Sequence, residues 1–298
     1  MTLLDGKKIL TEIREELSIK VQQYIAQGHR APCLVAVLVG NDGASQTYVS
    51  SKEKNSASCG YQSRILRFDE SMSELELLNE IEKLNQDDTV DGFIVQSPLP
   101  SHISAQRIFD AIDPNKDVDG FNTINTGKLA KGMDCFVPAT PLGIIELLKR
   151  YQIETSGKHC VVIGRSDIVG RPMSILLSLP KAGGNATVTL CHRRTQNLKQ
   201  FTLQADIVVA ALGKPEFLTG DMVKEGAIVI DVGITRIDDP SKKSGFRLSG
   251  DVKFDEVAIK CSYITPVPGG VGLMTIASLL QNTMKAYDLK LGNNSKKN

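Results

Sequence analysis

The chain has 298 residues, 41% of them hydrophobic, which is enough for about two domains with ordinary cores. Lys and Arg number 35 against 34 Asp and Glu, a net charge of +1, so no global charge points to a nucleic acid or an anionic membrane as partner. The absence of tryptophan and a 5% aromatic content leave little stacking surface for single-stranded nucleic acid, and no apolar run approaches the roughly 18 residues that span a bilayer.

Residues 3–27 place Leu10, Ile13, Leu17, Val21 and Tyr24 on one helical face, with Gly28 as a stop. Strand and helix patterns then alternate: strand 33–39, helix 45–58, strand 62–68, helix 73–85, strand 92–96 and helix 104–112, which Asp113-Pro114-Asn115 ends. This alternation predicts a parallel sheet covered by helices. A turn-rich stretch, 117–138, separates it from a helix over 141–151 and strands near 160–163, 186–190, 206–210 and 227–231, the pattern of a nucleotide-binding unit. The Gly-rich run 266–272 precedes an amphipathic helix over 273–289, and residues 292–298 read as a disordered tail. No internal repeat stands out. The six cysteines are scattered without C-x-x-C or zinc spacing, so they read as reduced thiols. MTLLDGKKIL lacks a signal core, so a cytoplasmic location without a metal centre is expected.

The most informative stretch is HCVVIGRSDIVG, residues 159–170, where an apolar run stops at Gly164 and a helical pattern starts after Gly170. A strand, a glycine turn and a helix N-terminus suit a diphosphate, although Gly164 and Gly170 stand six apart and depart from G-x-G-x-x-G. The next strand ends in Cys191-His192-Arg193-Arg194-Thr195, with no acid for a ribose 2′-hydroxyl. Two guanidiniums there suit a 2′-phosphate, which favours NADP over NAD. Parallel sheets take ligands at the carboxyl ends of their strands, where Asn41, Asp42, Gln96, Asp117 and Asp119 fall. Tyr48 and Lys52 are neighbours at i and i+4 on the helix leaving the first strand, a phenol beside an amine fit to handle a proton.

Five stretches carry a family resemblance: VGNDGASQTYVSSK (39–52), VQSPLP (95–100), KDVDGFNTINTG (116–127), GRSDIVGRP (164–172) and PVPGGVGLMT (266–275). Together they resemble bifunctional methylenetetrahydrofolate dehydrogenase/methenyltetrahydrofolate cyclohydrolase of the FolD type over nearly the whole chain. The resemblance implies two α/β domains with a cleft between them: a folate-binding catalytic domain over 1–139, completed by the helix 273–298, and a Rossmann-like NADP-binding domain over 140–272. It implies a homodimer packed through the nucleotide domains, with one-carbon derivatives of tetrahydrofolate as substrates.

Residue by residue, Lys52 matches the family's catalytic lysine, Tyr48 the tyrosine lining the folate site, Gln96 the glutamine that tunes the lysine, and Asp119 the aspartate that holds the pterin. Pro268, Gly269 and Gly270 match the folate-site loop. Gly164, Arg165 and Ser166 match the nucleotide turn, and Ile234 a backbone contact near the nicotinamide. Arg193 stands where many members have serine; with Arg194 it adds charge at the 2′-phosphate. Ser97, Ala139 and Leu273 depart from the family's apolar residue, cysteine and proline, and Leu273 bears on substrate affinity. Alternative readings are a dehydrogenase-only member, against which Lys52 and Gln96 argue, or a non-catalytic NADP-binding sensor, against which Tyr48, Lys52, Gln96 and Asp119 together argue. At this length no formate-activating synthetase domain is expected.

Overall fold

Seven consecutive apolar residues, Cys33–Val39, form a strand buried along its whole length, and this strand is the middle of a three-stranded parallel sheet. The structure, a computed structural model, describes residues 1–242 and 245–295. Its first half runs β1 (Thr2–Leu3), α1 (Gly6–Ala26), β2 (Cys33–Val39), α2 (Gly43–Ser58), β3 (Gln62–Phe68), α3 (Glu74–Gln86), β4 (Gly92–Val95), α4 (Ala105–Ala111), α5 (Thr123–Ala130) and α6 (Ala139–Arg150). The second half runs β5 (His159–Ile163), α7 (Gly170–Ser178), β6 (Thr187–Cys191), α8 (Leu198–Thr202), β7 (Ile207–Ala210) and β8 (Ile228–Asp231). It continues with β9 (Thr235–Asp238), β10 (Phe246–Ser249), α9 (Phe254–Ala258), β11 (Tyr263–Ile264) and α10 (Val271–Ser295).

The chain divides into two α/β units, the fold class the alternation predicts. A three-stranded unit holds Thr11–Ala139 and the chain from Ile276 on; its sheet is ordered β3-β2-β4, all parallel. The period of two along β2 divides its side chains between two cores. Cys33, Val35, Val37 and Val39 pack with Leu77 and Ile81 of α3 and Ile108 of α4. Leu34 and Ala36 pack with Val49 of α2 and with Leu279 and Ala286 of α10. Both faces are covered, so the strand is apolar throughout rather than alternating.

The six-stranded unit holds Met1–Leu10 and Thr140–Thr275, with a parallel sheet ordered β1-β11-β8-β7-β5-β6. Its core gathers Val161, Ile163, Val208, Ala210 and Val229 from the strands with Val257 and Ile264. The first ten residues, within the 1–139 stretch, group by packing with the other unit. β1 pairs with β11, so they pack in the six-stranded unit.

Two corrections have local causes. Within the stretch expected to be turns lies α5, whose sequence, TINTGKLA, is a weak helix former; Asn122 caps it and Asn125 donates to Asp117, so tertiary bonds supply what propensity lacks. The tail expected to be disordered from 292 is helical through Ser295, and its last residues, 296–298, lie outside the described residues. An antiparallel hairpin, β9 with β10, carries no strand assignment from the sequence. No helix among the described residues is long and apolar enough to cross a membrane.

Candidate functional site

In the three-stranded unit the polar groups collect at the carboxyl ends of β2 and β4. Asp42 accepts from the Ser45 amide and caps α2, which starts directly after β2 and carries Tyr48 and Lys52 one turn apart. Lys52 is 4% exposed, and its Nζ lies 4.4 Å from the centroid of the Tyr48 ring. Gln96 follows β4, and the Val37 carbonyl accepts its amide hydrogen, which fixes it beside β2. The Lys52 ammonium or amine donates to Gln96 Oε1 at 3.2 Å, while Gln96 Nε2 donates to the Ser97 carbonyl at 2.7 Å. The Ser97 carbonyl can only accept, so it sets the amide with its oxygen toward Lys52.

The two acids of Asp117-Val118-Asp119-Gly120 divide their work. Asp117 is buried and receives the amides of Gly120, Phe121 and Asn122 and the Asn125 side chain, at 2.9 to 3.2 Å. It organises the loop and has no capacity left for a ligand. Its backbone bridges Phe93 in parallel, which carries Asp119, two residues on, toward the end of β4. Among the described residues no protein donor bonds the half-buried Asp119 carboxylate. Gly120 permits this turn, since its φ is +73° and a Cβ there would lie 2.6 Å from Pro138 N. Burial pushes Lys52 below the ordinary lysine value, with the Asp119 charge opposing, and burial pushes Asp119 up, with Lys52 opposing. An amine that burial makes easier to deprotonate thus interacts with a carboxylate that no protein donor among the described residues bonds.

In the six-stranded unit the odd glycine spacing has a steric cause. At Gly164, φ is +122° and a Cβ would lie 2.0 Å from the Ala211 carbonyl oxygen; at Gly170 a Cβ would lie 2.0 Å from the Gly164 carbonyl oxygen. The two glycines let β5, the chain after β7 and the start of α7 close on one another. Ser166 Oγ accepts the amides of Val169 and Gly170, its carbonyl accepts that of Arg171, and Pro172 has none. Among the described residues no acceptor takes the amides of Arg165, Ser166, Asp167 and Ile168, so the unused donors lie in the turn. β6 lies beside β5 with Cys191 level with Ile163, which brings the 191–195 segment next to the turn. Arg193 and Arg194 are exposed and form no ion pair with the described residues. Free amides and two unpaired guanidiniums at one sheet end fit a phosphorylated dinucleotide.

Ile234, 59% exposed, follows β8, and the loop with Pro268, Gly269 and Gly270 precedes α10; both belong to the six-stranded unit. The Leu273 amide donates to the Gly270 carbonyl at 3.2 Å, a bond a proline could not make. Sequence reasoning missed two buried acids in this unit, Asp231 and Asp251. Each stands one or two residues from a glycine, in Asp231-Val232-Gly233 and Gly250-Asp251, and that pairing was the available signal. Among the described residues no group of three His, Cys, Asp or Glu is placed to hold a metal.

Residues 4–119 match the family model of the tetrahydrofolate dehydrogenase/cyclohydrolase catalytic domain, and residues 138–291 match that of its NAD(P)-binding domain. The bifunctional protein FolD of Porphyromonas gingivalis is 59% identical over 284 residues, covering 95% of this chain and 96% of that protein. The crystal structure of the bifunctional FolD enzyme from Campylobacter jejuni superposes with a TM-score of 0.91 at 49% identity, covering 97% of this chain and 99% of that one. The Trypanosoma brucei FolD, solved with NADP cofactor and an inhibitor, superposes with a TM-score of 0.92 at 37% identity, covering 98% of each chain.

Proposed function

Because the chain belongs to the tetrahydrofolate dehydrogenase/cyclohydrolase family, we propose that Tyr48, Lys52, Gln96 and Asp119 act in both reactions of a bifunctional enzyme, with NADP held by the six-stranded unit. The reactions are oxidation of 5,10-methylenetetrahydrofolate to the methenyl cation and hydrolysis of that cation to 10-formyltetrahydrofolate. The observation that carries the site assignment is the buried Lys52 amine, bonded to Gln96 and set against the Tyr48 ring.

Asp119 binds the pterin, whose amino group and ring N–H lie side by side and match the two oxygens of a carboxylate. Tyr48 lines the folate ring. Bound NADP⁺ accepts a hydride, two electrons and a proton's worth of hydrogen, from the methylene carbon; positioning dominates this step, and no protein base is needed. In the second step a water oxygen bonds the methenyl carbon and one proton passes to the Lys52 amine. The bond from that carbon to N5 then breaks, its electron pair staying on N5, which takes the remaining hydroxyl proton. Neutral Lys52 is the required form, and burial shifts the amine toward it. Gln96 holds the amine in place between proton transfers.

Gly164, Arg165 and Ser166 take the diphosphate, Arg193 and Arg194 the 2′-phosphate, and Ile234 the nicotinamide end. Arg193→Ser is expected to raise KM for NADP⁺ by about tenfold to a hundredfold while changing KM for NAD⁺ less than about threefold, since only NADP⁺ carries the phosphate. Steady-state kinetics with both nucleotides checks this, and equal losses would refute the assignment. We also place the enzyme in the cytoplasm as a homodimer joined through its nucleotide units. The outer strand β6 supports the pairing: it has no proline, its Val188 and Leu190 are half-buried, and one of its edges is unpaired.

The deciding assay supplies purified protein with 5,10-methylenetetrahydrofolate and NADP⁺ and follows NADPH, methenyl and 10-formyl products. NADPH followed by enzyme-accelerated hydrolysis is expected. Absence of NADPH would overturn the reading, and methenyl product hydrolysed no faster than in buffer would remove the cyclohydrolase half.

A further inference from the structure

We propose that Asp231 and Asp251 are positioning residues, whose buried carboxylates hold the chain segments after β7 and β8 in the shape that receives the nicotinamide end of NADP. The proposal rests on the nucleotide reading above. Both side chains lie inside the six-stranded unit, Asp231 4% exposed and Asp251 fully buried. Neither can touch a ligand, so any effect on the cofactor passes through backbone.

That backbone is specified bond by bond. Asp231 Oδ1 accepts the amides of Gly233 at 3.0 Å and Asp251 at 2.8 Å, and Oδ2 accepts that of Val252 at 3.0 Å. Asp251 Oδ2 accepts the amides of Leu212 at 2.5 Å and Gly213 at 2.9 Å. The Asp231 amide in turn donates to Thr265 Oγ1 at 2.7 Å, which ties the start of the Pro266–Gly270 loop to β8. Segments 211–213, 232–234 and 250–252 are thereby joined through two side chains.

Space is reserved for both acids. A Cβ at Gly250 would lie 1.8 Å from Asp231 Oδ2, and one at Gly233 would lie 2.4 Å from Asp251 Oδ1. Asp251 Oδ1 is buried with no protein partner and faces the segment that carries Ile234. The Ala211 carbonyl, one residue before Leu212, is the group against which Gly164 packs. One acid couple therefore sets the floor of the diphosphate turn and the segment leading to the nicotinamide contact. A carboxylate this buried is costly to keep, and burial pushes Asp231 up to about 6 against the pull of its backbone donors. Both oxygens of Asp231 and Oδ2 of Asp251 are spent on loop amides, which indicates that loop shape is what they secure.

The hydrolytic reaction, which uses no nucleotide, provides the control. Full-length Asp251→Ala and Asp251→Asn are assayed for oxidation with NADP⁺ varied, and for hydrolysis of methenyltetrahydrofolate without nucleotide. For Asp251→Ala, KM for NADP⁺ is expected to rise about tenfold or more, with kcat and the hydrolysis rate within about twofold of wild type. Asp251→Asn keeps an acceptor for Leu212 and Gly213 and is expected to return KM to within about threefold. An unchanged KM in Asp251→Ala, or equal loss of both activities without rescue by Asn, would overturn the proposal. Should Asp251→Ala give no soluble protein, Gly233→Ala, whose Cβ meets the Asp251 carboxylate, is read in the same way. Failure of all three to fold assigns the pair to stability alone and also overturns it. A wild-type protein that does not reduce NADP⁺ is a failure of the functional reading, seen before any variant is compared.

Discussion

Lys52→Met leaves a folded protein that oxidises methylenetetrahydrofolate but no longer accelerates hydrolysis of the methenyl cation. Removing a general base costs about a hundredfold to ten-thousandfold, and among the described residues no other amine bonds Gln96 Oε1 to take its place. Methionine is close to lysine in volume and carries no charge, so replacing an amine that burial already disfavours in its charged form should not destabilise the unit. The pH profile provides an independent check. Because burial lowers the Lys52 pKa, the wild-type hydrolysis rate should rise with pH and level off below the ordinary lysine value of about 10.4. Stopped-flow loss of methenyl absorbance against pH measures both. Hydrolysis near the wild-type rate in Lys52→Met would remove the lysine from the mechanism.

Asp119→Asn weakens both reactions together, because both begin with the same pterin. The substitution replaces one acceptor oxygen by an N–H₂ donor that faces a pterin donor. Two charge-assisted hydrogen bonds are at stake, and kcat/KM for both folate substrates should fall by about a hundredfold or more. Most of the loss should appear in KM for folate, with KM for NADP⁺ unchanged. The sign of the pH effect follows from burial, which raises the Asp119 pKa: as pH falls through that raised value the carboxylate protonates and KM for folate climbs, at a pH where an exposed aspartate would still be charged. A folate KM unaffected by Asp119→Asn would place the pterin elsewhere. Asp117→Asn is a poor substitute test, since Asp117 is engaged with its own loop.

Period and punctuation in the sequence were enough to locate the strands at 33–39 and 62–68 with the bounds they have in the fold, and β6 within one residue. The first is a continuous apolar run between Pro32 and Gly40, the signal that needs least context, and the other two are short segments rich in apolar or β-branched residues. α5 was not legible, because its stability comes from Asn122 and Asn125 reaching Asp117 and the 110–114 segment rather than from its own residues. β1 was not legible either: two residues pair with a strand about 260 positions away, and no local pattern encodes such a partner. For the site, i and i+4 spacing placed Tyr48 beside Lys52 from sequence alone. That Gln96 turns its oxygen to the lysine depends on the Ser97 carbonyl, a fact of the fold.

By itself the sequence determined the fold class, the strand–turn–helix at Gly164, the basic end of β6 and, through five motifs, the family. These are properties of short segments, where residue type and spacing already fix the chemistry. Tertiary structure alone decided that Asp117 is consumed by its own loop, which amides of the nucleotide turn remain unused, and that Asp231 and Asp251 join three distant loops. Each depends on which hydrogen-bond capacity is already consumed by neighbours remote in the chain, and capacity is settled only when those neighbours are brought within about 3 Å.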